Sequence, residues 1–169
     1  MKQSWLRIAA VSHLLFHSGG GASRIAPVVQ VDHIIVDKSA HELVAYSRGR
    51  AVRRFDIALG FGGLAPKVRQ GDGRVPEGEY RITAHNARSA FHKSLRIGYP
   101  TPAQRNTARH GGYNPGGDIM IHGLPNSQGW IGAAHRRTDW TAGCIALTNA
   151  EIDWLYIRVK DGIPIAIRQ

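Results

Sequence analysis

The chain has 169 residues, of which 43% are hydrophobic and 20% charged, and these values exclude a disordered, collagen-like or coiled-coil protein. Its length fits a single domain. There is one cysteine, Cys144, so an intrachain disulfide is excluded and this residue is either a small buried side chain or a reactive thiol. The formal charge of +10 favours anionic partners.

The N-terminal segment has the residue order of a secretory signal. A short apolar run over residues 6–16 begins among basic residues, and small residues follow it up to Ala22. This pattern predicts a signal peptide over residues 1–22, a mature domain over residues 23–169 and a place in the periplasm or cell envelope. The alternative is an uncleaved N-terminal extension. Because the run is too short to span a bilayer, we predict no transmembrane span in the mature chain.

From residue 28 onwards, short β-branched or alternating apolar segments are separated by turns, which predicts strands. The predicted strands cover residues 28–36, 42–46, 52–59, 80–84, 95–97, 118–121 and 163–167. The first three should form an antiparallel meander. Pro164 predicts that the last strand lies at a sheet edge. The remaining stretches, 60–78 and most of 86–117, are expected to be loops.

One helix is predicted, near the C-terminus. Thr148 and Glu151 have the spacing of a capping box, and apolar residues recur at helical intervals as far as Val159. Asp161 and Gly162 should end the helix. The sequence therefore predicts a mainly β domain, a sandwich or barrel-like sheet with one helix in its C-terminal region.

The stretch between Glu79 and Asp118 contains no acidic residue. Its basic residues are Arg81, Arg88, Lys93, Arg96, Arg105 and Arg109. Two interpretations stay open, a solvated basic loop and a surface that binds carboxylates or phosphates.

Cys144 has the local surroundings of a nucleophile. Gly143 before it permits a sharp turn and the close approach of a substrate, and main-chain amides at this turn are expected to face a developing oxyanion. His122 ends a predicted strand and is the candidate base, with one ring nitrogen on the thiol. The carbonyl of Gly123 is expected to hold the other ring nitrogen.

These segments resemble the L,D-transpeptidase catalytic domain, the YkuD type. The resemblance is carried by Ile121-His122-Gly123 and by Thr141, Gly143, Cys144 and Ile145 in the second motif. Upstream, residues 35–38, 41–43, 71–73 and 76–80, with Phe91, Ser94-Leu95 and Tyr99-Pro100, fit the same family. The resemblance covers residues 31–167.

The chain departs from the family pattern at several positions. Ala142 replaces the histidine two residues before the cysteine, Val75 replaces a threonine, and Ala146 replaces an arginine that recognises a substrate carboxylate. A basic residue of the 88–109 stretch is a candidate substitute for that arginine. The interval from His122 to Cys144 is also long, which predicts a larger loop around Trp130.

The resemblance implies a cysteine acyltransferase that acts on peptidoglycan stem peptides through a Cys144 thioester. It implies no cofactor and no metal, and the acyl acceptor is a second stem, a wall-attached protein or water. The catalytic candidates are Cys144, His122, Gly123 and Gly143. The substrate-binding candidates are Thr141, Asn149, Arg109 and Trp140.

Two other functions are compatible with these residues. The first is a thiol hydrolase of the same fold, either a carboxypeptidase or an amidase. The second is a non-catalytic module that binds an anionic polymer. A nucleic-acid partner is not expected, since no scaffold interleaves aromatic and basic residues. A zinc site of His110, His135, His122 and Cys144 would lack any compact ligand spacing.

Overall fold

In the computed structural model, residues 28–169 are described, and the predicted signal segment lies outside them. Eight strands form one sheet in the order β3-β2-β1-β8-β4-β5-β6-β7, curled into a half-barrel. The strands are β1 (His33–Asp37), β2 (Glu42–Ser47), β3 (Arg50–Asp56), β4 (Gly78–Ser89), β5 (His92–Ile97), β6 (Met120–His122), β7 (Ile145–Ala146) and β8 (Pro164–Arg168). The prediction of a mainly β domain is confirmed.

The first three strands form the expected antiparallel meander, joined by the predicted turns. The loop after β3 is also found, although short bridges at Ala58 and Gly60 attach it to the β7 region. By contrast, residues 86–117 are more ordered than predicted. They contain the end of β4, all of β5 and a helix, α1 (Pro102–His110).

The edge position predicted for the last strand is wrong. β8 lies in the middle of the sheet, parallel to β1 and antiparallel to β4. Pro164 is tolerated because it is the first residue of the strand, where a missing amide hydrogen does not interrupt the ladder. Fully buried Ile165 pairs with Ile34 on one side and Tyr80 on the other.

The C-terminal helix, α2 (Asn149–Tyr156), begins where the capping box predicted. The Thr148 amide donates a hydrogen bond to Glu151 Oε2 over 2.9 Å, and the Thr148 hydroxyl donates to the same oxygen over 2.7 Å. The helix ends at Tyr156, several residues earlier than expected, and a turn follows. α2 packs on β5 and β6, and Ile152 and Leu155 complete the core beneath the sheet.

The prediction of a single helix is wrong, because α1 and a 3₁₀ segment, Gly129–Arg137, are also present. The 3₁₀ segment is kinked at Gly132 and occupies the long interval between His122 and Cys144, where a larger loop around Trp130 was expected. Within residues 28–169, no helix is long and apolar enough to cross a membrane.

Candidate active site

Strand pairing brings Cys144 and His122 to one face of the sheet. β6 and β7 run parallel, with Ile121 opposite Ile145 and His122 opposite Ala146. Cys144 directly precedes β7 and is therefore level with Met120 on the strand beside it. Both candidate catalytic side chains line the same cavity, of about 580 Å³, which we call the cysteine cavity.

The imidazole of His122 is held by its own turn. Its Nδ1 lies 2.7 Å from the Gly123 carbonyl oxygen, as expected from the sequence. A carbonyl only accepts hydrogen bonds, so Nδ1 carries the proton and Nε2 keeps a free lone pair. The ring of Phe91 lies 4.5 Å from the imidazole centroid, and Trp140 contacts it edge-on at 5.7 Å. This tautomer makes Nε2 the proton acceptor.

Burial determines the protonation of His122. The side chain is only 3% exposed, and desolvation lowers its pKa below the ordinary value. The hydrogen bond to Gly123 opposes part of this effect. The imidazole is therefore neutral at neutral pH, with Nε2 unprotonated.

The thiol of Cys144 is also uncharged. Burial raises its pKa, and the nearby Asp118 carboxylate raises it further, whereas the Met120 amide and the more distant Lys67 act in the opposite direction. The sulfur donates a hydrogen bond to the Asp118 main-chain oxygen over 3.6 Å. The pair at rest is thus a thiol and a neutral imidazole, rather than a thiolate and an imidazolium.

Gly143 forms the turn that presents the cysteine. Its φ of +122° is unfavourable for any other residue, and an added Cβ would lie 2.6 Å from the Arg74 carbonyl oxygen. The Gly143 amide donates to Thr141 Oγ1 over 3.2 Å, and that hydroxyl donates to the Cys144 carbonyl over 2.7 Å. The Gly143 amide is therefore engaged within its own turn, and the expectation that main-chain amides here face an oxyanion stays a prediction.

The four substrate-binding candidates lie in different places. Trp140 and Thr141 line the cysteine cavity, although the Thr141 hydroxyl is used within the turn. Asn149 lies outside the cavity lining, and its Oδ1 accepts a hydrogen bond from the Leu124 amide over 2.9 Å. It therefore supports the loop that follows His122. Arg109 is exposed on the last turn of α1 and does not line the cysteine cavity.

The two alanines that depart from the family pattern are placed differently. Ala142 lines the cysteine cavity, where a histidine side chain would enter it. Ala146 is fully buried and is hydrogen bonded through its main chain to Ala58, at 2.9 and 3.1 Å. An arginine at 146 would have to leave this packed position to reach a ligand.

Sequence reasoning missed three residues that shape the site. Asp118 supplies the carbonyl that holds the thiol, and Met120 supplies an amide beside the sulfur. Asp139 braces the adjoining segment, since its Oδ1 accepts from the Leu59 amide over 2.8 Å and its Oδ2 lies 3.0 Å from His41 Nε2. Apart from Asp118 lying at a predicted strand start, no local pattern marks these contacts.

Neither His110 nor His135, the other two histidines of the candidate zinc site, lines the cysteine cavity. His110 ends α1, with Nδ1 2.9 Å from the Asn106 carbonyl. His135 is buried, its Nδ1 accepts from Trp140 Nε1 over 3.4 Å, and burial followed by repulsion from Arg136 lowers its pKa to about 4. Among residues 28–169 there is no cluster of three or more His, Cys, Asp or Glu side chains suited to a metal ion.

The chain resembles known proteins in both sequence and structure. The chain is 34% identical over 97 residues to the Escherichia coli K12 protein named "Putative L,D-transpeptidase YafK", a match that covers 56% of this chain and 32% of the relative. The chain thus spans about a third of the length of this curated relative.

Two solved structures share the fold. The helical cell shape determining protein Pgp2 from Campylobacter jejuni superposes with a TM-score of 0.64 at 20% identity, covering 83% of this chain and 48% of that one. An L,D-transpeptidase from Mycobacterium smegmatis superposes with a TM-score of 0.54 at 17% identity, covering 81% and 58%.

The family model described as the L,D-transpeptidase catalytic domain, YkuD, matches residues 31–167, nearly all of the described chain. This range agrees with the resemblance carried by the two catalytic motifs. The chain therefore belongs to the L,D-transpeptidase catalytic domain family.

Proposed function

We propose that the chain is an L,D-transpeptidase that transfers a peptidoglycan stem peptide through a thioester on Cys144. The observation that supports this most directly is the shared cavity of Cys144 and His122, with the Nε2 lone pair of His122 left free by the Gly123 tether. Family membership supplies the substrate class. The basic charge of the chain suits the carboxylates of stem peptides.

In the proposed reaction, Nε2 of His122 takes the thiol proton as the sulfur attacks the amide carbonyl after the L-centre of diaminopimelate. The resulting imidazolium returns that proton to the departing D-alanine amine, and the thioester remains. An amine of a second stem or of a wall-attached protein then attacks the thioester, and its proton passes through His122 back to the sulfur. Water in place of the amine gives hydrolysis.

A direct test combines a tetrapeptide donor with a primary amine. Intact mass should show the thioester on the wild-type protein but not on Cys144→Ala, where a small side chain replaces a small one. Analysis of the products should show the new amide. Hydrolysed peptide without any new amide would instead identify a thiol hydrolase, and absence of the thioester would contradict both forms of the proposal.

A carbapenem provides a second probe of the same thiol. We expect a single addition on Cys144, the only cysteine in the chain. An unmodified protein at high drug excess would contradict the proposed nucleophile.

We further propose that the protein acts outside the cytoplasm, since its proposed substrate is the cell wall and residues 1–22 have the order of a secretory signal. Protein recovered from its native cell should begin near Ser23 and fractionate with the periplasm or envelope. A full-length cytoplasmic form without a trimmed species would contradict this.

A further inference from the structure

A second large cavity, which we call the arginine groove, lies between β4, β5 and the start of α1. Its volume is about 630 Å³. Three arginines from different elements line it, Arg81 of β4, Arg96 of β5 and Arg105 of α1. Tyr99 and Thr101 contribute to the wall between the strands and the helix.

Two of the three arginine side chains, Arg81 and Arg105, are held in place by main-chain carbonyls without being neutralised. Arg81 Nη1 donates to the Gly162 carbonyl over 2.6 Å, and Arg105 Nη1 donates to the Pro100 carbonyl. Neither arginine has a salt bridge within the described residues. Each keeps further N–H donors, and a guanidinium presents five of them in a planar fork suited to a carboxylate.

Arg96 differs, because its Nη2 pairs with Asp118 Oδ1 over 2.7 Å. The one acidic residue in the groove lining is Glu79. Three guanidinium groups against Glu79 and the paired Asp118 leave the groove positive. A ligand that brings a carboxylate into the groove would match this balance.

Strand register connects the arginine groove to the catalytic centre. Arg96 is opposite Ala84 on β4 and opposite Met120 on β6, and Met120 is level with Cys144. Residues paired across neighbouring strands point to the same face, so Arg96 and Cys144 share one face two strands apart, roughly 10 Å between their Cα atoms. Arg96 lines the groove, and its partner Asp118 lines the cysteine cavity.

We propose that the arginine groove binds the carboxylates of an acidic peptide, and that it holds a peptidoglycan stem beside the thiol. The identity of the peptide rests on the proposed function. The groove supplies the cationic contact that the buried Ala146 does not. The contact comes from β4, β5 and α1 rather than from the second residue after Cys144.

The test measures peptide binding by calorimetry in a Cys144→Ala background, where no turnover consumes the ligand. The double variant Arg81→Gln/Arg105→Gln should bind a tetrapeptide with free side-chain carboxylates about tenfold more weakly. A matched control is Arg48→Gln/Arg50→Gln, which removes the same charge from exposed positions at the β2–β3 turn and should leave binding unchanged. Equal weakening in both double variants would overturn the assignment, because net charge alone would explain it.

A ligand variant keeps the test independent of protein stability. The protein with its groove arginines intact should bind an amidated tetrapeptide about tenfold more weakly than the free acid. Equal binding of the two peptides would overturn the proposal. Unchanged binding of both peptides after the groove arginines are removed would also overturn it. If inorganic phosphate competes for the groove and the two peptides bind equally well, the groove is a phosphate site. That outcome would also overturn the proposal.

Failure of the proposed function is distinguishable from failure of the groove assignment. It appears as absence of the Cys144 thioester or carbapenem adduct on the wild-type protein, a readout that does not involve the groove arginines.

Discussion

At the scale of single residues, burial acts on the two proposed reacting groups in opposite directions. It raises the pKa of the Cys144 thiol and lowers the pKa of the His122 imidazole. Both groups are therefore neutral over the same broad range around neutral pH. In the proposed reaction the proton must move during nucleophilic attack, so the geometry of His122 should affect the rate directly.

This arrangement predicts a distinctive pH dependence of carbapenem acylation. Because the His122 pKa is lowered, the imidazole stays an effective base below the pH at which free histidine titrates, and the rate should fall only at more acidic pH. Because the Cys144 pKa is raised, ultraviolet thiolate absorbance should appear only in alkaline solution. Thiolate absorbance at neutral pH would instead indicate a pre-formed ion pair.

The base assignment predicts that His122→Gln slows Cys144 acylation about a hundredfold, because the proton acceptor is lost. Stopped-flow acylation rates measure the effect. His110→Ala is the matched control, since His110 is exposed at the end of α1 and should alter the rate little. A comparable loss in the control would show that His122 is not the only base.

At the scale of structural elements, the turn between Thr141 and Cys144 gives the site its shape. Hydrogen bonds of the Thr141 hydroxyl close the turn on both sides of Gly143. The neighbouring 57–62 segment braces it, since the Thr141 amide donates to the Leu59 carbonyl over 3.1 Å. The proposed nucleophile is thus fixed by backbone contacts of two segments that are far apart in the chain.

Gly143→Ala should reduce both stability and acylation. The new Cβ combines a left-handed φ with a close approach to the Arg74 carbonyl, and we expect a loss of about 2 kcal/mol in the free energy of unfolding. Gly63→Ala is a suitable control, because Gly63 also has positive φ but nothing lies within 4 Å of an added Cβ. It should cost about 1 kcal/mol by denaturant titration. Equal losses in the two variants would exclude the steric contribution.

At the scale of the whole molecule, β8 joins the two halves of the sheet. It pairs with β1 of the meander and with β4, which leads to the strands that carry the site. Ile165, fully buried at this junction, should therefore contribute to the stability of the entire domain.

Ile165→Ala should lower the free energy of unfolding by about 3 kcal/mol, because it removes buried methyl groups from a packed core. Val52→Ala is the control, since Val52 is 36% exposed on edge strand β3 and should change stability by less than about 0.5 kcal/mol. Denaturant unfolding monitored by circular dichroism measures both. Similar values for the two variants would contradict a central role for β8.

How far the sequence predicted the elements depended on the kind of signal. The capping box at Thr148 is a local pattern, so the start of α2 was predictable. A similar signal exists for α1, where Thr101 and Gln104 form a capping box and Pro102 is the first helical residue, although most of 86–117 is predicted to be loop. The edge position inferred from Pro164 failed because proline at a strand's first residue also suits a central strand.

The sequence by itself determined the nucleophile and base candidates, the meander and the C-terminal helix, because each has a signature within a few neighbouring residues. Only the tertiary structure decided that β8 is central, that the Gly143 amide is occupied and that Asn149 and Arg109 lie outside the cysteine cavity. It also aligned Arg96 with Cys144. These features depend on register between strands distant in sequence, and no local pattern specifies which strands become neighbours.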